Sequence, residues 1–323
     1  MLRKFSTLIL IFSIIVLAGC SSEQDRLVKK LESKVIDAQR SIDKLETQLS
    51  NVTIRNAKLL GQYALYLKKY KPDFSQIIDT LAMEGTTSGL TFKNLQQRFS
   101  QVKLDVARAA EGSLLAAENT YDELDSIIAG ANVNNYNMML TDPINVIADM
   151  SEGKLARVES MSKEASLAAN KSKDFGAGSQ LVGNPNYGSW QGSSNGTSVW
   201  TWFAMYAMFS SLNRNPIYYD GWSRGRDYSY YGSVGRHQYT SPKQKSSQTK
   251  LNKNYSDKFA KQGKKFQSPY AKNKVTTAKV SQQRRTVQQE SSRSKARSSN
   301  SSRGSASTRR ASSRTSRSSS RGK

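Results

Sequence analysis

The stretch that decides the fold is "VKKLESKVIDAQRSIDKLETQLSNVTIRNAKLLGQYALYLKKY", Val28 to Tyr70. Within it Val28, Leu31, Val35, Ala38, Ile42, Leu45, Leu49, Val52, Asn56, Leu59, Tyr63, Tyr66 and Tyr70 follow one another at alternating spacings of three and four. That period places them on one face of a helix and is the heptad seam of a coiled coil. Branched residues in one register and leucines in the other favour a parallel dimer, with Asn56 setting the register. A seam packed against later helices of the same chain fits the pattern equally well, because a heptad does not name its partner. As one helix the stretch would reach about 64 Å, a stalk at 1.5 Å per residue.

Working outward, Pro72 stops this helix, and Asp73 with Gln76 resembles a capping box for a short helix from Phe74 to Glu84. Gly85 to Gly89 reads as a loop. A third helix is predicted from Phe92 to Ala129, ended by Gly130, and a fourth from Asp142-Pro143 to Lys171 or Lys173. Strand alternation is missing from this half, so the fold class expected is mainly α: an elongated coiled coil or antiparallel helical bundle over residues 23 to 174. The aromatic Gly-rich segment and a disordered basic tail follow it.

At the N-terminus, Arg3 and Lys4 precede an apolar run from Leu8 to Leu17. About ten residues cannot span a bilayer core that needs roughly 20, and the arrangement is that of a secretory signal. Cys20 is the chain's only cysteine. Leu17-Ala18-Gly19-Cys20 resembles the lipobox of bacterial lipoproteins. The resemblance implies removal of residues 1–19, acylation of Cys20 and attachment to a membrane, which is the outer membrane in a Gram-negative cell because Ser21 rather than Asp follows the cysteine. Three acyl chains anchor far more firmly than one.

Residues 176–198 hold six glycines with Pro185 and read as a linker between a bundle of residues 73–175 and an aromatic segment of residues 199–240. All four tryptophans lie between residues 184 and 240, and Val199 to Leu212 carries no charge. A helix of that length spans only about 21 Å, too short to cross a membrane. Three readings stay open: a helix or hairpin packed on the bundle, an interfacial segment, or a partner site through Trp200, Trp202, Phe203, Tyr206 and Trp222. Beyond it, Arg224, Arg226 and Arg236 alternate with Tyr218, Tyr219, Trp222, Tyr228, Tyr230 and Tyr231. Such a stretch either stacks on nucleobases and sugar rings or is a cation-π-rich loop.

Net charge is +24, and residues 241–323 supply most of it, with 23 basic and 2 acidic side chains. The last 33 residues contain 15 Ser and 10 Arg or Lys. This composition predicts a disordered tail that binds polyanions by counterion release, through Arg284, Arg285, Arg293, Arg309, Arg310, Arg314 and Arg317 among others. If Cys20 places the chain outside the inner membrane, the polyanions on offer are lipopolysaccharide, peptidoglycan or teichoic acid, with extracellular DNA as an alternative. A scaffold using the coiled coil, as a homo-oligomer or with another helix, is the third reading.

His237 is the only histidine, and neither a phosphate-binding loop nor a nucleophile elbow is present. The sequence therefore predicts no metal site, no cofactor and no enzymatic activity.

Overall fold

In the computed structural model, which describes residues 23–109, 113–158, 163–171, 173–213 and 215–269, helix α1 runs from Glu23 to Ser50. Asn51 to Ile54 then break the predicted stalk. The break is a C-terminal cap of Schellman type: the Thr53 N–H reaches back to the Gln48 carbonyl at 3.0 Å and the Val52 N–H to that of Leu49 at 3.1 Å. Val52 takes the left-handed position at φ 51°, where glycine is usual, and its side chain is 51% exposed.

Helix α2 (Arg55–Tyr70) restarts in a different phase. Its buried positions are Asn56, Ala57, Leu60, Ala64 and Leu67, whereas Tyr66 and Tyr70 are exposed. The seam therefore does not continue through Val28 to Tyr70 as one straight face. Asn56 is buried as expected of a seam residue, but its backbone N–H and side-chain amide bond to Asn137 of the same chain, at 2.9 and 2.6 Å.

A 3₁₀ turn at Pro72–Phe74 leads into α3 (Ser75–Ala82), followed by a second 3₁₀ turn at Met83–Gly85. The helix predicted from Phe92 to Ala129 is two: α4 (Leu90–Ala109) and α5 (Leu114–Ala131). Ser113 caps α5, its hydroxyl accepting the Ala116 N–H. The two helices pack on each other, and α1 lies along both. Leu31, Ala38, Ile42, Leu45 and Leu49 are buried in that contact. The partner of this half of the seam is the chain itself, which leaves those residues unavailable to a second copy in this fold.

Asn132 caps α6 (Val133–Met139), and α7 (Thr141–Met150) follows. Thr141 to Ala148 are all buried, so α7 is a central helix rather than the start of a long amphipathic one. After turns at residues 151–154, α8 (Lys163–Asn170) completes the first half.

Residues 176–198, expected as a linker, are structured. They contain strand β1 (Gly188–Gly192), which pairs antiparallel with β2 (Ser198–Trp202) so that Trp190 faces Trp200 across the ladder. Short helices α9 (Met208–Leu212), α10 (Tyr219–Arg224) and α11 (Arg236–Tyr239) follow, with a five-residue π turn at Tyr231–Gly235 ahead of α11. A last helix, α12 (Pro242–Ala260), occupies residues expected to be disordered. Ser241 and Gln244 close a capping box around Pro242 at the first helical position, a start signal strong enough to act within a polar, lysine-rich stretch.

One contiguous core runs through both halves, from Leu31 on α1 to Tyr239 on α11. Gly130 marks where they meet. A Cβ there would lie 2.9 Å from a methyl of Leu95 and 3.2 Å from the Gln238 carbonyl, so glycine eases the close approach. The mainly helical class is as expected, while the separation into bundle, linker and aromatic segment gives way to a shared interior. No helix among the described residues is long and apolar enough to cross a membrane. Cys20 and the tail arginines Arg284, Arg285, Arg293, Arg309, Arg310, Arg314 and Arg317 lie outside the described residues.

Candidate functional site

The most elaborate chemistry lies where the helical bundle meets residues 176–240. Buried carboxylates and guanidinium groups join the two halves there. Glu84, in the 3₁₀ turn after α3, is fully buried, accepts the Thr91 N–H at 3.1 Å and takes a hydrogen bond from the Tyr206 hydroxyl at 3.1 Å. Burial raises its carboxyl above the usual range, against the opposing pull of those donors. Tyr136, on α6, donates to the Glu84 backbone carbonyl at 3.1 Å, and burial pushes its phenol well up.

Asp142 at the start of α7 does not cap its own helix. Its two carboxylate oxygens accept the N–H groups of Tyr230 and Tyr231, at 2.7 and 3.0 Å. Burial pushes this carboxyl up to about 7 and the charge of Asp227 adds to the rise, against the two backbone donors.

Arg157 bridges Asp149 and Asp227. Its Nε and terminal nitrogens reach both carboxylates, with the shortest contacts at 2.6 Å, and Gln180 adds a bond to Asp227 at 3.2 Å. All three charged side chains are at least nine-tenths buried. Burial alone would lower the guanidinium, but the bonds to Asp149 and Asp227 prevail and raise it. Arg98 makes a second joint: it forks onto Glu123 at 2.7 and 3.1 Å and donates to the Gln238 carbonyl. Removing one member of such a buried pair leaves a desolvated charge, which costs about 3–5 kcal/mol.

The aromatic residues predicted as partner contacts largely face inward. Trp190, Trp200, Trp202 and Trp222 form one cluster, with Trp190 5.3 Å from both Trp200 and Trp222 and Trp200 5.6 Å from Trp202. Tyr206 packs edge-on against Tyr187 at 4.9 Å. Trp200, Trp202, Tyr206 and Trp222 are therefore core residues, because the hairpin and the bundle close over them. Phe203 alone of the five is exposed, at 41%, with Met205 nearby in sequence also exposed. Of the three readings open for this stretch, packing on the bundle is the one the geometry shows.

Helix α12 is held on the hairpin by aromatic stacking that composition alone does not reveal. Phe266 stacks between Tyr255 at 5.1 Å and Phe259 at 5.5 Å, and Gly192 leaves room for the Tyr255 ring, which would otherwise meet a Cβ at 2.0 Å. Gln267 closes the arrangement through bonds with Gly196 and Ser198. The opposite side of α12 carries exposed Lys243, Lys250 and Lys253, which at 100° per residue share the face away from Tyr255 and Phe259, while Lys258 lies over the Tyr255 ring, 5.9 Å from its centre. The basic region thus begins on a lysine-bearing helix packed on the hairpin.

Other arrangements support little chemistry. The Ser126 hydroxyl lies 2.9 Å from His237 Nδ1, a nucleophile–base distance, but it donates to the His237 backbone carbonyl at 2.6 Å and is buried on α5. It serves as another joint. A cleft of about 640 Å³ between α4 and the start of α12 has Arg98 and Glu123 among its walls, together with Gln97, Gln101 and Lys243. No cluster of three or more potential metal ligands occurs among the described residues. No family model, curated protein or solved structure matches this chain.

Proposed function

We propose that this chain is a non-enzymatic, lipid-anchored protein of the cell envelope. Acylated Cys20 ties the folded body to a membrane, the outer membrane in a Gram-negative cell, and the cationic C-terminal region contacts envelope polyanions such as lipopolysaccharide, peptidoglycan or teichoic acid. The observation that carries this reading is the separation of charge. Residues 23–240 hold 24 basic and 23 acidic side chains, and residues 241–323 hold 23 and 2. A near-neutral body joined to a polycation suits a protein that is held at one surface and reaches for another. The stacked α12 supports it further, because it fixes the first lysines of the cationic region to the body. The lipobox-like residues Leu17 to Cys20 end just ahead of α1, so an anchor at Cys20 leaves only two residues before the helix.

Co-sedimentation of the mature chain with isolated envelopes tests the role of the cationic region. Retention that falls on truncation after Pro269, and weakens as salt rises, supports it. The extracellular-DNA alternative predicts instead a preference for duplex DNA over lipopolysaccharide that survives about 0.2 M salt.

A further inference from the structure

Neither the anchor nor the tail uses the cleft between α4 and the start of α12. It holds about 640 Å³, a volume in the range of small-molecule sites. Asn94, Gln97 and Gln101 lie along its α4 wall at spacings of three and four, so their carboxamides share one stripe about 10 Å long. Asn94 donates to the Asn186 side chain at 2.7 Å and Gln101 to Asp105 at 3.2 Å, which leaves both amide oxygens as acceptors facing a ligand. Gln97 is exposed, and its side-chain amide makes no hydrogen bond among the described residues.

The charged side chains of the lining balance. Buried Arg98 forks onto Glu123, and Asp105 and Lys243 add one charge of each sign. Such a lining has no surplus charge to offer a phosphate, a carboxylate or an amine, so it suits a neutral ligand. Apolar surface comes from buried Val102 and Tyr239 and from Leu104, which is 55% exposed. Both walls are braced: Arg98 also donates to the Gln238 carbonyl, and the capping box of Ser241 and Gln244 fixes the start of α12. A site formed in advance loses less freedom on binding than one that must order itself.

We infer that this cleft binds an N-acetylated amino sugar. An acetamido group presents one N–H, one carbonyl and one methyl. The Gln97 amide can serve the first two, while Leu104 with the buried apolar side chains receives the methyl. Sugar hydroxyls donate to the amide oxygens of Asn94 and Gln101, and the length of the stripe admits two linked rings. Recognition of the sugar stands on the cleft alone, whereas its source in the envelope, the glycan of peptidoglycan, rests on the function proposed above.

Calorimetric titration of the full chain with diacetylchitobiose tests it, with cellobiose, the same disaccharide bearing hydroxyls in place of the acetamido groups, as control. Saturable binding of diacetylchitobiose is expected, with cellobiose at least about tenfold weaker. The affinity should be the same at about 0.05 and 0.5 M salt, unlike binding by a polycationic tail. Gln97→Ala/Gln101→Ala changes two exposed positions, so thermal melting should match the parent while diacetylchitobiose binds at least about tenfold more weakly. The proposal is overturned if diacetylchitobiose does not saturate, if cellobiose binds as well, or if the double variant titrates as the parent does. Tighter binding of a blocked trialanine peptide than of the sugar would also overturn it, by making the cleft a peptide groove. Binding of the free disaccharide requires no acylation, so failure of the cleft and failure of the Cys20 anchor are separate results.

Discussion

The carboxylate of Asp142 accepts the backbone N–H of Tyr230 at 2.7 Å across 88 residues of sequence. Together with the bond to Tyr231, it fixes the aromatic half of the chain to the central helix α7. Because Asp142 is buried and its carboxyl is pushed up to about 7 from 3.8, the folded state binds a proton that the unfolded chain releases. The contribution of Asp142 to stability is therefore greatest below about pH 4, declines between about 4 and 7, and levels off above. The loss attributable to Asp142 is on the order of 4 kcal/mol at most. Glu84, also raised, acts in the same direction. Urea denaturation of the parent and of Asp142→Asn across this range isolates this contribution: the parent should lose stability relative to the variant as pH rises from 4 to 7, and a difference between the two that does not change over that range would contradict the assignment.

Val52 offers a separate test. It holds a left-handed conformation that costs a side-chain-bearing residue about 1–2 kcal/mol, while its exposed side chain contributes little packing. Val52→Gly relieves that cost and adds roughly 0.5–1 kcal/mol of unfolded-state entropy. The expected outcome is a net stabilisation of about 0.5–1 kcal/mol in chemical denaturation. A loss of stability would show that the α1–α2 break is not held as described.

The tryptophan cluster predicts a large effect at its centre. Trp190 touches Trp200, Trp222 and Tyr219, and Trp190→Ala should cost about 3–5 kcal/mol. Phe203→Ser, at an exposed position, should cost less than about 0.5 kcal/mol. Similar losses for the two would place the cluster outside the cooperative core.

Phe266 tests the attachment of the lysine helix. Phe266→Ala removes the ring between Tyr255 and Phe259. Amide hydrogen exchange should accelerate across residues 242–260 and much less in α1 and α5, because α12 depends on this local stack while those helices share the main core. Uniform acceleration would mean that α12 unfolds only with the whole body.

Much of this architecture is legible in residue spacing, and the failures have physical causes. The seam from Leu31 to Leu49 can be read directly, but its partner cannot, since α5 offers a face as apolar as a second copy would. The break at Val52 carries no signal: a valine in a position that favours glycine is invisible to a reading based on turn residues. Asp142-Pro143 looks like a helix start from local sequence, yet tertiary contact redirects the carboxylate to Tyr230 and Tyr231. The glycines of residues 176–198 suggest a linker because composition does not distinguish a flexible chain from glycines that make room for aromatic rings. The joints made by Glu84, Asp142 and Arg157 escape sequence reasoning because each pairs residues from distant parts of the chain. Ser241-Pro242 with Gln244 is the available signal for α12, obscured by the lysines around it.

Attachment through Cys20 is tested most directly by the mass of the mature protein. Intact-mass measurement of chain recovered from the membrane fraction should show residues 1–19 removed and acyl groups on Cys20, and Cys20→Ala should abolish both the acyl mass and the membrane recovery. A soluble, unmodified chain still beginning at Met1 would contradict it, and the assignment of envelope polyanions to the cationic region would fall with it.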